Sequence, residues 1–562
     1  MKVVIVGGVA GGATAAARIR RLDEQAEIVV FERSGFISYA SCGLPYYIGG
    51  VIEDPEELTL QTPESFFSRF RVSMRVRHEV TAIHPDKKAV SVTDLETGEV
   101  FEESYDKLIL SPGAKPTQPR LPGVGLNKLF TLRTVEDTFR IKAYISENHP
   151  KSAVLAGGGF ISLELAENLR ELGMEVTIVQ RPKQLMNPFD PDMAAFIHSE
   201  MRRHGVKLAL GHTVEGFEEK DGGVDVLLKD EAPLHADMVV LAIGVSPDTQ
   251  LAQDAGLELG VKGSIVVNDR METSVPDIYA VGDAVQVKHF VTGQDVLLSL
   301  AGPANKQGRI AADNICGGDS HYTGSQGSSV IKVFDMTAAT TGVNETNAKK
   351  AGLDVDTVIL SPMSHAGYYP GGKVMTMKVV FEKETYRLLG AQIVGYEGVD
   401  KRIDVLATAI RAGLKATALK DLDLAYAPPY SSAKDPVNMA GFMIENIAKG
   451  VLKQWHLADA LPRDGSVTLL DTRTVGEFDG GHIDGFLNIP VDELRERLGK
   501  LDKSKPVYVI CQSGLRSYIA CRILAGNGFE CYNFSGGFRF YDAVMHDRCL
   551  IESATACGMD KV

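Results

Sequence analysis

Two glycine-rich turns, each lying between a short apolar strand and a helix-forming segment, predict an α/β protein with two Rossmann-like dinucleotide-binding domains. The first turn runs from Gly7 to Gly12 after the strand Lys2 to Val6, and the second begins at Gly157 after the strand Ala153 to Ala156. Backbone N–H groups at the start of the following helix can bind the pyrophosphate of a dinucleotide. One such turn is a weak signal, but two in the same context predict two nucleotide sites.

Each turn departs from the ideal glycine pattern at one position. Val9 stands where the second glycine of the first turn is expected, and Ser162 stands at the third glycine position of the second turn. Val9 adds bulk near the predicted pyrophosphate, whereas Ser162 is small enough to keep the helix close to the strand. Both turns therefore still predict dinucleotide binding.

The residue that ends the second strand of each unit bears on ribose recognition. Glu32 ends this strand in the first unit, where its carboxylate can accept hydrogen bonds from a ribose. Gln180 and Arg181 follow the corresponding strand of the second unit, where a carboxylate would favour NAD. Gln180 can bond a hydroxyl and Arg181 can meet a 2′-phosphate, so the choice between NADH and NADPH stays open.

The composition indicates a multi-domain protein of a reducing compartment. A chain of 562 residues is too long to fold around one hydrophobic core, so we expect about three or four domains. The 59 basic and 73 acidic residues give a net charge of −14, which argues against binding to nucleic acid or an anionic membrane. Seven dispersed cysteines without a CxxC pair argue against a disulfide framework and structural zinc. No apolar run approaches the length of a membrane span, so we expect a cytoplasmic protein.

Two further segments complete a recognisable pattern. They are the turn Leu110 to Ala114 and the segment Thr273 to Ala284, in which a strand leads into Gly282 and Asp283. Together with the glycine turns they resemble the two-dinucleotide flavoprotein disulfide reductases over about residues 1 to 445. The resemblance implies FAD in the first domain, NAD(P)H in the second and a homodimer. The cofactor-binding residues that it implies are Gly7, Gly8, Ala10, Gly11, Glu32, Arg33, Ala114, Gly157, Gly159, Phe160, Ile161, Glu164, Gln180, Gly244, Gly282, Asp283 and Tyr426.

Cys42 lies in the loop Ser38 to Tyr46, where these reductases keep a redox sulfur. Dithiol members place a second cysteine five positions later, but here that position is Tyr47, so an internal disulfide is not available. A single thiolate must alternate with an external thiol, a persulfide sulfur or peroxide oxygen. Oxygen- and peroxide-reducing members carry a histidine in the first glycine turn, and Ala10 in its place weakens the oxidase interpretation.

The surroundings of Cys42, together with His365 to Gly371 and Leu424 to Asp435, resemble coenzyme A disulfide reductase. This resemblance implies that the first helix and the Cys42 loop bind coenzyme A. It also implies that Tyr368 and Tyr426 of the other subunit bring phenolic protons to the leaving sulfur. Activity would then require the dimer. The residues implied for coenzyme A are Thr14, Arg18, Arg21, Ser38, Ser41, Cys42, Asn305, Tyr368 and Lys434.

These residues also have structural interpretations. On charge pattern alone, Arg18, Arg20 and Arg21 form the solvated face of the first helix. The tyrosines can be core or interface residues with satisfied hydroxyls. An isolated cysteine is usually a buried apolar residue, but the serines and the Gly-Leu-Pro turn around Cys42 favour the redox role.

A second cysteine, Cys511, ends the apolar strand Val507 to Ile510 and opens a loop that leads into a helix. Such a loop points backbone N–H groups at the sulfur and stabilises a persulfide anion. Four residues separate Cys511 from Arg516, as in sulfurtransferases, whereas the related phosphatases have five. With Asp471 to Arg473 upstream, the segment resembles a single rhodanese domain, in which Cys511 and Arg516 are the implied catalytic residues.

We therefore expect an α/β chain of four domains. The FAD-binding domain comprises residues 1–150 and 270–324, and the NAD(P)H-binding domain comprises residues 151–269. An α+β dimerisation domain (325–450) and a C-terminal α/β rhodanese domain (451–562) follow.

The function expected from these features is the NAD(P)H-dependent reduction of persulfide or polysulfide sulfur to hydrosulfide through Cys42. Coenzyme A and small-molecule sulfur donors are the expected partners, and Cys511 handles sulfane sulfur. Coenzyme A disulfide reduction with an independent sulfurtransferase domain is an alternative, and a redox-sensing flavoprotein is another. The physiological sulfur donor, the orientation of the rhodanese domain and the roles of Cys549 and Cys557 stay open.

Overall fold

A computed structural model describes residues 1–553, so Cys557 lies outside the described residues. These residues form two compact units, one of residues 1–183 and 205–327 and the other of residues 184–204 and 328–553. Within residues 1–553, no helix is both long and apolar enough to cross a bilayer. The α-helices are α1 (Ala10–Leu22), α2 (Leu44–Gly49), α3 (Pro63–Phe70), α4 (Val135–Asn148), α5 (Phe160–Glu171), α6 (Pro191–Arg203), α7 (Gln250–Asp254), α8 (Ala301–Ile315), α9 (Glu345–Lys350), α10 (Val399–Arg411), α11 (Pro436–Ala448), α12 (Val475–Asp479), α13 (Leu494–Arg497), α14 (Leu515–Gly526) and α15 (Gly537–Ser553).

The first unit contains two five-stranded parallel sheets, one for each glycine turn. The central strand of each sheet consists largely of Val, Ile, Leu and Ala and is mostly buried, as expected when both faces of a parallel sheet are covered. The first sheet has the strand order Ile278–Ala280, Lys107–Leu110, Lys2–Val6, Glu27–Glu32 and Ser73–Val76. The second has the order Leu129–Thr131, Met238–Leu241, Ser152–Ala156, Glu175–Gln180 and Lys207–Leu210. In both sheets the strand before the glycine turn is central, which places the turn at the carboxyl end of the sheet.

Smaller antiparallel sheets complete this unit. Two have three strands, and three have two strands. They are His78–His84 with Ala89–Asp94 and Val100–Ser104; Val214–Lys220 with Gly223–Leu228 and Leu234–Ala236; Ala114–Pro116 with Val245–Pro247; Val287–Lys288 with Asp295–Val296; and Ile37–Tyr39 with Thr59–Gln61.

Helix α1 packs closely against α8 because both carry glycine at the contact. A Cβ atom on Gly308 of α8 would lie 2.4 Å from the carbonyl oxygen of Gly11, so a larger residue would separate the helices. The buried face of α1 also contains Ala13, Ala16 and Ile19. This packing fixes the first glycine turn against the rest of the unit.

The second unit contains an antiparallel and a parallel sheet. The antiparallel sheet has the order Ser329–Val333, Met336–Gly342, Leu388–Gly395, Thr376–Glu382 and Val355–Leu360. The parallel sheet has the order Gln454–Trp455, Cys531–Phe534, Val507–Ile510, Thr468–Asp471 and Leu487–Asn488. The Ser535 hydroxyl accepts a hydrogen bond from the Ile359 N–H at 3.0 Å, which joins the two sheets through a buried contact.

The predicted fold class is confirmed, with two nucleotide-binding sheets, an α+β domain and a final α/β domain. The predicted strand Val507–Ile510 is present with those bounds. Residues 184–204, which sequence assigned to the NAD(P)H-binding domain, cluster with the second unit. The four domain boundaries stay a prediction.

Candidate active sites

The first glycine turn has the shape and the donors that a dinucleotide pyrophosphate requires. Gly7 has φ of 96°, and a Cβ atom there would lie 2.1 Å from the Ser111 carbonyl oxygen. Helix α1 has no acidic residue in its first turn, and Val9 at its N-cap makes no capping hydrogen bond. The first N–H groups of α1 are therefore available for an anion. Glu32 lies beside them, where its carboxylate accepts a hydrogen bond from the Gly8 N–H at 2.8 Å.

The second turn repeats these features. Gly157 has φ of 119°, and a Cβ atom there would lie 2.2 Å from the Ala242 carbonyl oxygen. Helix α5 begins after an uncapped Gly159 and has no acidic residue in its first turn. Ser162 is fully buried, and its hydroxyl has no hydrogen-bond partner within residues 1–553. Both turns thus fit dinucleotides.

Asp283, Gly244, Ala114 and Arg33 are further predicted cofactor residues, and they lie outside the two glycine turns. Asp283 lies in a short 3₁₀ helix and accepts a hydrogen bond from Arg133 at 2.7 Å, a partner that the sequence did not indicate. Gly244 immediately precedes a strand that pairs with the strand beginning at Ala114. Arg33 pairs with Asp248 at 2.8 Å. The strands that begin at Ala114 and after Gly244 are antiparallel, so Ala114 lies opposite Pro247 and Gly244 lies at the other end of the pair, where its carbonyl oxygen accepts a hydrogen bond from the Thr117 N–H.

Cys42 is an exposed free thiol on the 3₁₀ helix Ser41–Gly43, which leads directly into α2. Tyr47, at the position of the second cysteine of dithiol enzymes, is buried. The described cysteines, at positions 42, 316, 511, 521, 531 and 549, are all free. Cys42 therefore has no disulfide partner within residues 1–553.

Two ionisable side chains next to this loop have strongly shifted pKa values. The hydroxyl of Tyr46 lies near the carboxyl of Glu164, on α5. Burial, followed by the nearby Glu167 carboxylate, raises the pKa of Glu164 to about 7. Burial and the two carboxylates raise the pKa of Tyr46 to about 12. Sequence reasoning named Glu164 only as a cofactor residue and did not identify Tyr46.

Two of the three predicted coenzyme A residues on α1, Thr14 and Arg18, already have protein partners. Thr14 donates a hydrogen bond to Asn305 at 2.6 Å, so the structure brings these two together. Arg18 pairs with Asp313 at 2.6 Å, which the sequence did not indicate. Arg21 is exposed, whereas Arg20 is buried and donates to backbone carbonyl oxygens, so the interpretation of Arg20 as solvated is wrong. Of the three arginines, only Arg21 is exposed.

Tyr368 and Tyr426 lie together in the second unit. Their hydroxyl oxygens are 2.6 Å apart, although the side chains are 75% and 44% exposed. This hydrogen bond raises the pKa of Tyr426. Lys434 is exposed in the same unit. An exposed hydrogen-bonded phenol pair is consistent with a surface that another molecule covers.

Cys511 is fully buried, and two groups of its own loop donate hydrogen bonds to its sulfur. The Gly514 N–H and the Ser517 hydroxyl each donate a hydrogen bond to its Sγ at 3.2 Å. Gly514 has φ of 96°, a conformation that turns its N–H inward and favours glycine. This arrangement stabilises negative charge on a sulfur.

Arg516 holds the Cys511 loop against α12. Its guanidinium donates two hydrogen bonds to Glu477, both at 2.7 Å. The guanidinium lowers the pKa of Glu477 to about 2. Ser517 follows Arg516 directly in the sequence and could have been proposed from its polarity, whereas nothing in the sequence indicated Glu477.

The remaining cysteines have different surroundings. Cys521 and Cys531 are buried in the hydrophobic core of the last sheet. Cys316 is partly buried against a core cluster of the first unit, and Cys549 is exposed on α15.

Known protein families match three consecutive regions of the chain. The family described as pyridine nucleotide-disulphide oxidoreductase matches residues 1–308, its dimerisation domain matches residues 328–436, and the rhodanese-like domain matches residues 455–543. The coenzyme A disulfide reductase of Staphylococcus aureus is 38% identical over 442 residues, which cover 78% of this chain and 99% of that protein.

Two solved structures match nearly the full length. The reduced Bacillus anthracis CoADR-RHD is 48% identical with a TM-score of 0.95, covering 97% of this chain and 98% of that one. The NAD-dependent persulfide reductase from A. fulgidus is 37% identical with a TM-score of 0.90, covering 96% and 100%. These matches confirm the predicted cofactors FAD and NAD(P)H. The chain belongs to the pyridine nucleotide-disulphide oxidoreductase family, as a flavoprotein oxidoreductase with a rhodanese-like domain.

Proposed function

We propose that this protein reduces coenzyme A persulfide and related persulfide or polysulfide sulfur to hydrosulfide with NAD(P)H. The observation that carries the proposal is the solitary, exposed Cys42 beside the FAD turn, in a chain that also holds Cys511 in a sulfur-stabilising loop. The names of the Staphylococcus aureus and A. fulgidus relatives support a coenzyme A disulfide or a persulfide as the substrate.

In the proposed cycle, the Cys42 thiolate attacks the coenzyme A sulfur of the persulfide. A bond forms between Cys42 and that sulfur, the sulfur–sulfur bond of the persulfide breaks, and hydrosulfide leaves. Tyr368 and Tyr426, from the other subunit of a homodimer, bring a proton to the leaving sulfur. Bound NAD(P)H and FAD supply two electrons, which cleave the mixed disulfide into the Cys42 thiolate and coenzyme A thiolate.

Predicted residues hold the ligands in this scheme. The N–H groups of α1 and Glu32 contact FAD, and the N–H groups of α5 contact NAD(P)H. Thr14, Asn305, Ser38, Ser41 and Lys434 contact coenzyme A. Arg21 and Arg18 provide positive charge for its phosphates, and Arg18 does so while it remains paired with Asp313.

Cys511 receives sulfane sulfur from a donor and passes it to coenzyme A, which carries it to Cys42. The Gly514 N–H and the Ser517 hydroxyl hold the Cys511 persulfide anion. If Cys511→Ala left hydrosulfide release unchanged with every persulfide donor, this relay would be wrong.

The alternative is coenzyme A disulfide reduction with an independent sulfurtransferase domain, which the 38% identity to the Staphylococcus aureus enzyme favours. One preparation should be assayed for NAD(P)H consumption with coenzyme A disulfide and with coenzyme A persulfide. We expect faster turnover and stoichiometric hydrosulfide with the persulfide. Faster turnover with the disulfide would contradict the proposal, and an absence of sustained turnover with either would favour a sensor.

A further inference from the structure

One face of helix α14 carries exposed apolar side chains beside the Cys511 loop. Leu515 is 65% exposed and Ile519 is 41% exposed. Leu515 directly follows Gly514, whose N–H donates to the Cys511 sulfur. Leu515, Ile519 and Arg522 are spaced four and three residues apart, so they share one face of the helix. This face therefore leads from the sulfur loop towards the end of α14.

The same face borders a groove of about 500 Å³ between α13 and α14. Ile519 lines this groove together with Leu498 and Ile523. Ile523 belongs to the hydrophobic core of the last sheet, and Leu498 packs against that core. The groove thus has an apolar floor that the core supports, and its volume is in the range of small-molecule sites, about 300–1,000 Å³.

Two arginines line the groove as well. Arg495 of α13 and Arg522 of α14 are both exposed, and within residues 1–553 neither pairs with a carboxylate. Arg522 donates to the Val451 carbonyl oxygen at 2.5 Å, a bond that leaves its positive charge uncompensated. Arg497, also on α13, is instead paired with Glu493 at 2.8 Å. In a chain with a net charge of −14, two unpaired guanidinium groups in one groove favour a phosphate ligand.

The groove and the exposed face together define the chemistry of a ligand. Leu515 and Arg522 are seven residues apart, which is about 10 Å along the helix. A ligand that spans them needs phosphates at one end, an uncharged arm in the middle and a group that reacts with sulfur at the other end. Coenzyme A has these three parts in this order.

We propose that this groove is a second binding site for coenzyme A, at which the carrier collects sulfur from Cys511. Arg495 and Arg522 bind its phosphates, the pantetheine arm lies along Ile519 and Leu515, and the thiol reaches the Cys511 loop. The inference rests on the proposed function, in which Cys511 passes sulfur to coenzyme A, and it names the surface where this transfer occurs. The site uses none of the residues proposed to bind coenzyme A beside Cys42.

The transfer at this site moves one sulfur atom without net oxidation or reduction. The coenzyme A thiol loses its proton to solvent, and the thiolate attacks the outer sulfur of the Cys511 persulfide. A bond forms between these two sulfurs, the sulfur–sulfur bond to Cys511 breaks, and Cys511 leaves as a thiolate. The Gly514 N–H and the Ser517 hydroxyl hold that thiolate.

The test is sulfur transfer from thiosulfate in the full-length, FAD-containing enzyme without NAD(P)H. Sulfite release is measured with coenzyme A, pantetheine or cyanide as the acceptor. Arg495→Ala and Arg522→Ala should each raise the KM for coenzyme A about tenfold, because each removes a charged hydrogen bond to phosphate. The KM for pantetheine, which lacks those phosphates, and the kcat with cyanide should not change. Ile519→Ser should raise the KM for both thiols about threefold, because both lose apolar contact.

Arg497→Ala is the matched control, because this arginine of α13 is already paired with Glu493 and does not line the groove. Equilibrium dialysis of a thiol-free coenzyme A analogue gives a second measurement. The variant that combines Arg495→Ala with Arg522→Ala should bind one molecule fewer per chain than the wild type. Equal binding by both proteins, an equal rise in the KM for pantetheine, or no sulfur transfer to coenzyme A in the wild type would overturn the inference. Failure of the proposed reduction at Cys42 is seen separately, as a lack of persulfide-dependent NAD(P)H oxidation, which neither measurement requires.

Discussion

The two sulfur sites obtain their chemical environments in different ways. Cys511 is fully buried, and the groups that donate to its sulfur, Gly514 and Ser517, lie within its own loop. Cys42 is exposed, and the ionisable pair next to it includes Glu164, which comes from a helix far along the chain. A buried sulfur with local donors suits the storage of a persulfide anion, whereas an exposed sulfur suits exchange with a diffusing carrier.

Substitution of each cysteine in turn should have the largest effect on activity and should separate the two sites. Cys42→Ser should lower NAD(P)H-dependent reduction of coenzyme A disulfide by about 10³-fold or more, because no second thiol replaces it. The same variant should retain transfer of sulfane sulfur from thiosulfate to cyanide. Cys511→Ser should show the opposite pattern, measured as nucleotide oxidation and thiocyanate formation on the same preparations. Loss of both activities in either variant would show that the sites do not act separately.

The tyrosine pair tests whether Cys42 depends on groups outside its loop. Tyr368→Phe or Tyr426→Phe removes one hydroxyl of the 2.6 Å pair and should slow release of the leaving sulfur about 10²-fold, as expected for loss of a general acid. Because their hydrogen bond raises the pKa of Tyr426, the proton remains available at neutral pH. Tyr369→Phe, at the adjacent position, is the matched control. The measurement is single-turnover release of hydrosulfide from coenzyme A persulfide, and an equal effect of all three variants would contradict the assignment.

The difference between the sites also explains what the sequence could predict. The Cys511 loop was predicted well because strand, loop and helix are consecutive, so the elements that surround the sulfur follow from chain order. Both glycine turns were predicted for the same reason, since their N–H groups belong to the residues of the motif.

The contacts that the sequence did not reveal join distant segments. Arg18 pairs with Asp313 because Gly11 and Gly308 allow α1 and α8 to pack closely, and Gly49 allows α2 to approach Asn168 of α5. A single sequence contains no pairing signal for such contacts. The sequence correctly placed Arg18 and Arg21 on the first helix but could not show that Arg18 already had an acidic partner.

The loop of Cys511 can be perturbed through its backbone alone. Gly514→Ala should lower sulfur transfer about tenfold, because alanine disfavours φ of 96° and would turn the Gly514 N–H away from the sulfur. A Cβ atom there would meet nothing closer than 3.8 Å, so the effect is conformational rather than steric. Gly526→Ala, at the end of α14, should leave transfer unchanged, and NAD(P)H-dependent disulfide reduction should be normal in both variants. Full transfer activity in Gly514→Ala would show that this N–H is dispensable.

The smallest expected effect is at Glu477, which holds the Cys511 loop through Arg516. The folded-state pKa of Glu477 is lowered from 4.5 to about 2, so its stabilising contribution is complete above pH 4.5 and is lost as the pH falls towards 2. Because the pair is about one-third exposed, solvent screening limits this contribution to about 1 kcal/mol or less. Glu477→Gln should therefore speed amide hydrogen exchange in residues 511–517 by up to about fivefold at pH 5, with a smaller ratio to wild type near pH 3. Glu493→Gln breaks a comparable pair with Arg497 away from the loop and should not change exchange there. A ratio that does not depend on pH would show that Glu477 acts through packing rather than through its charge.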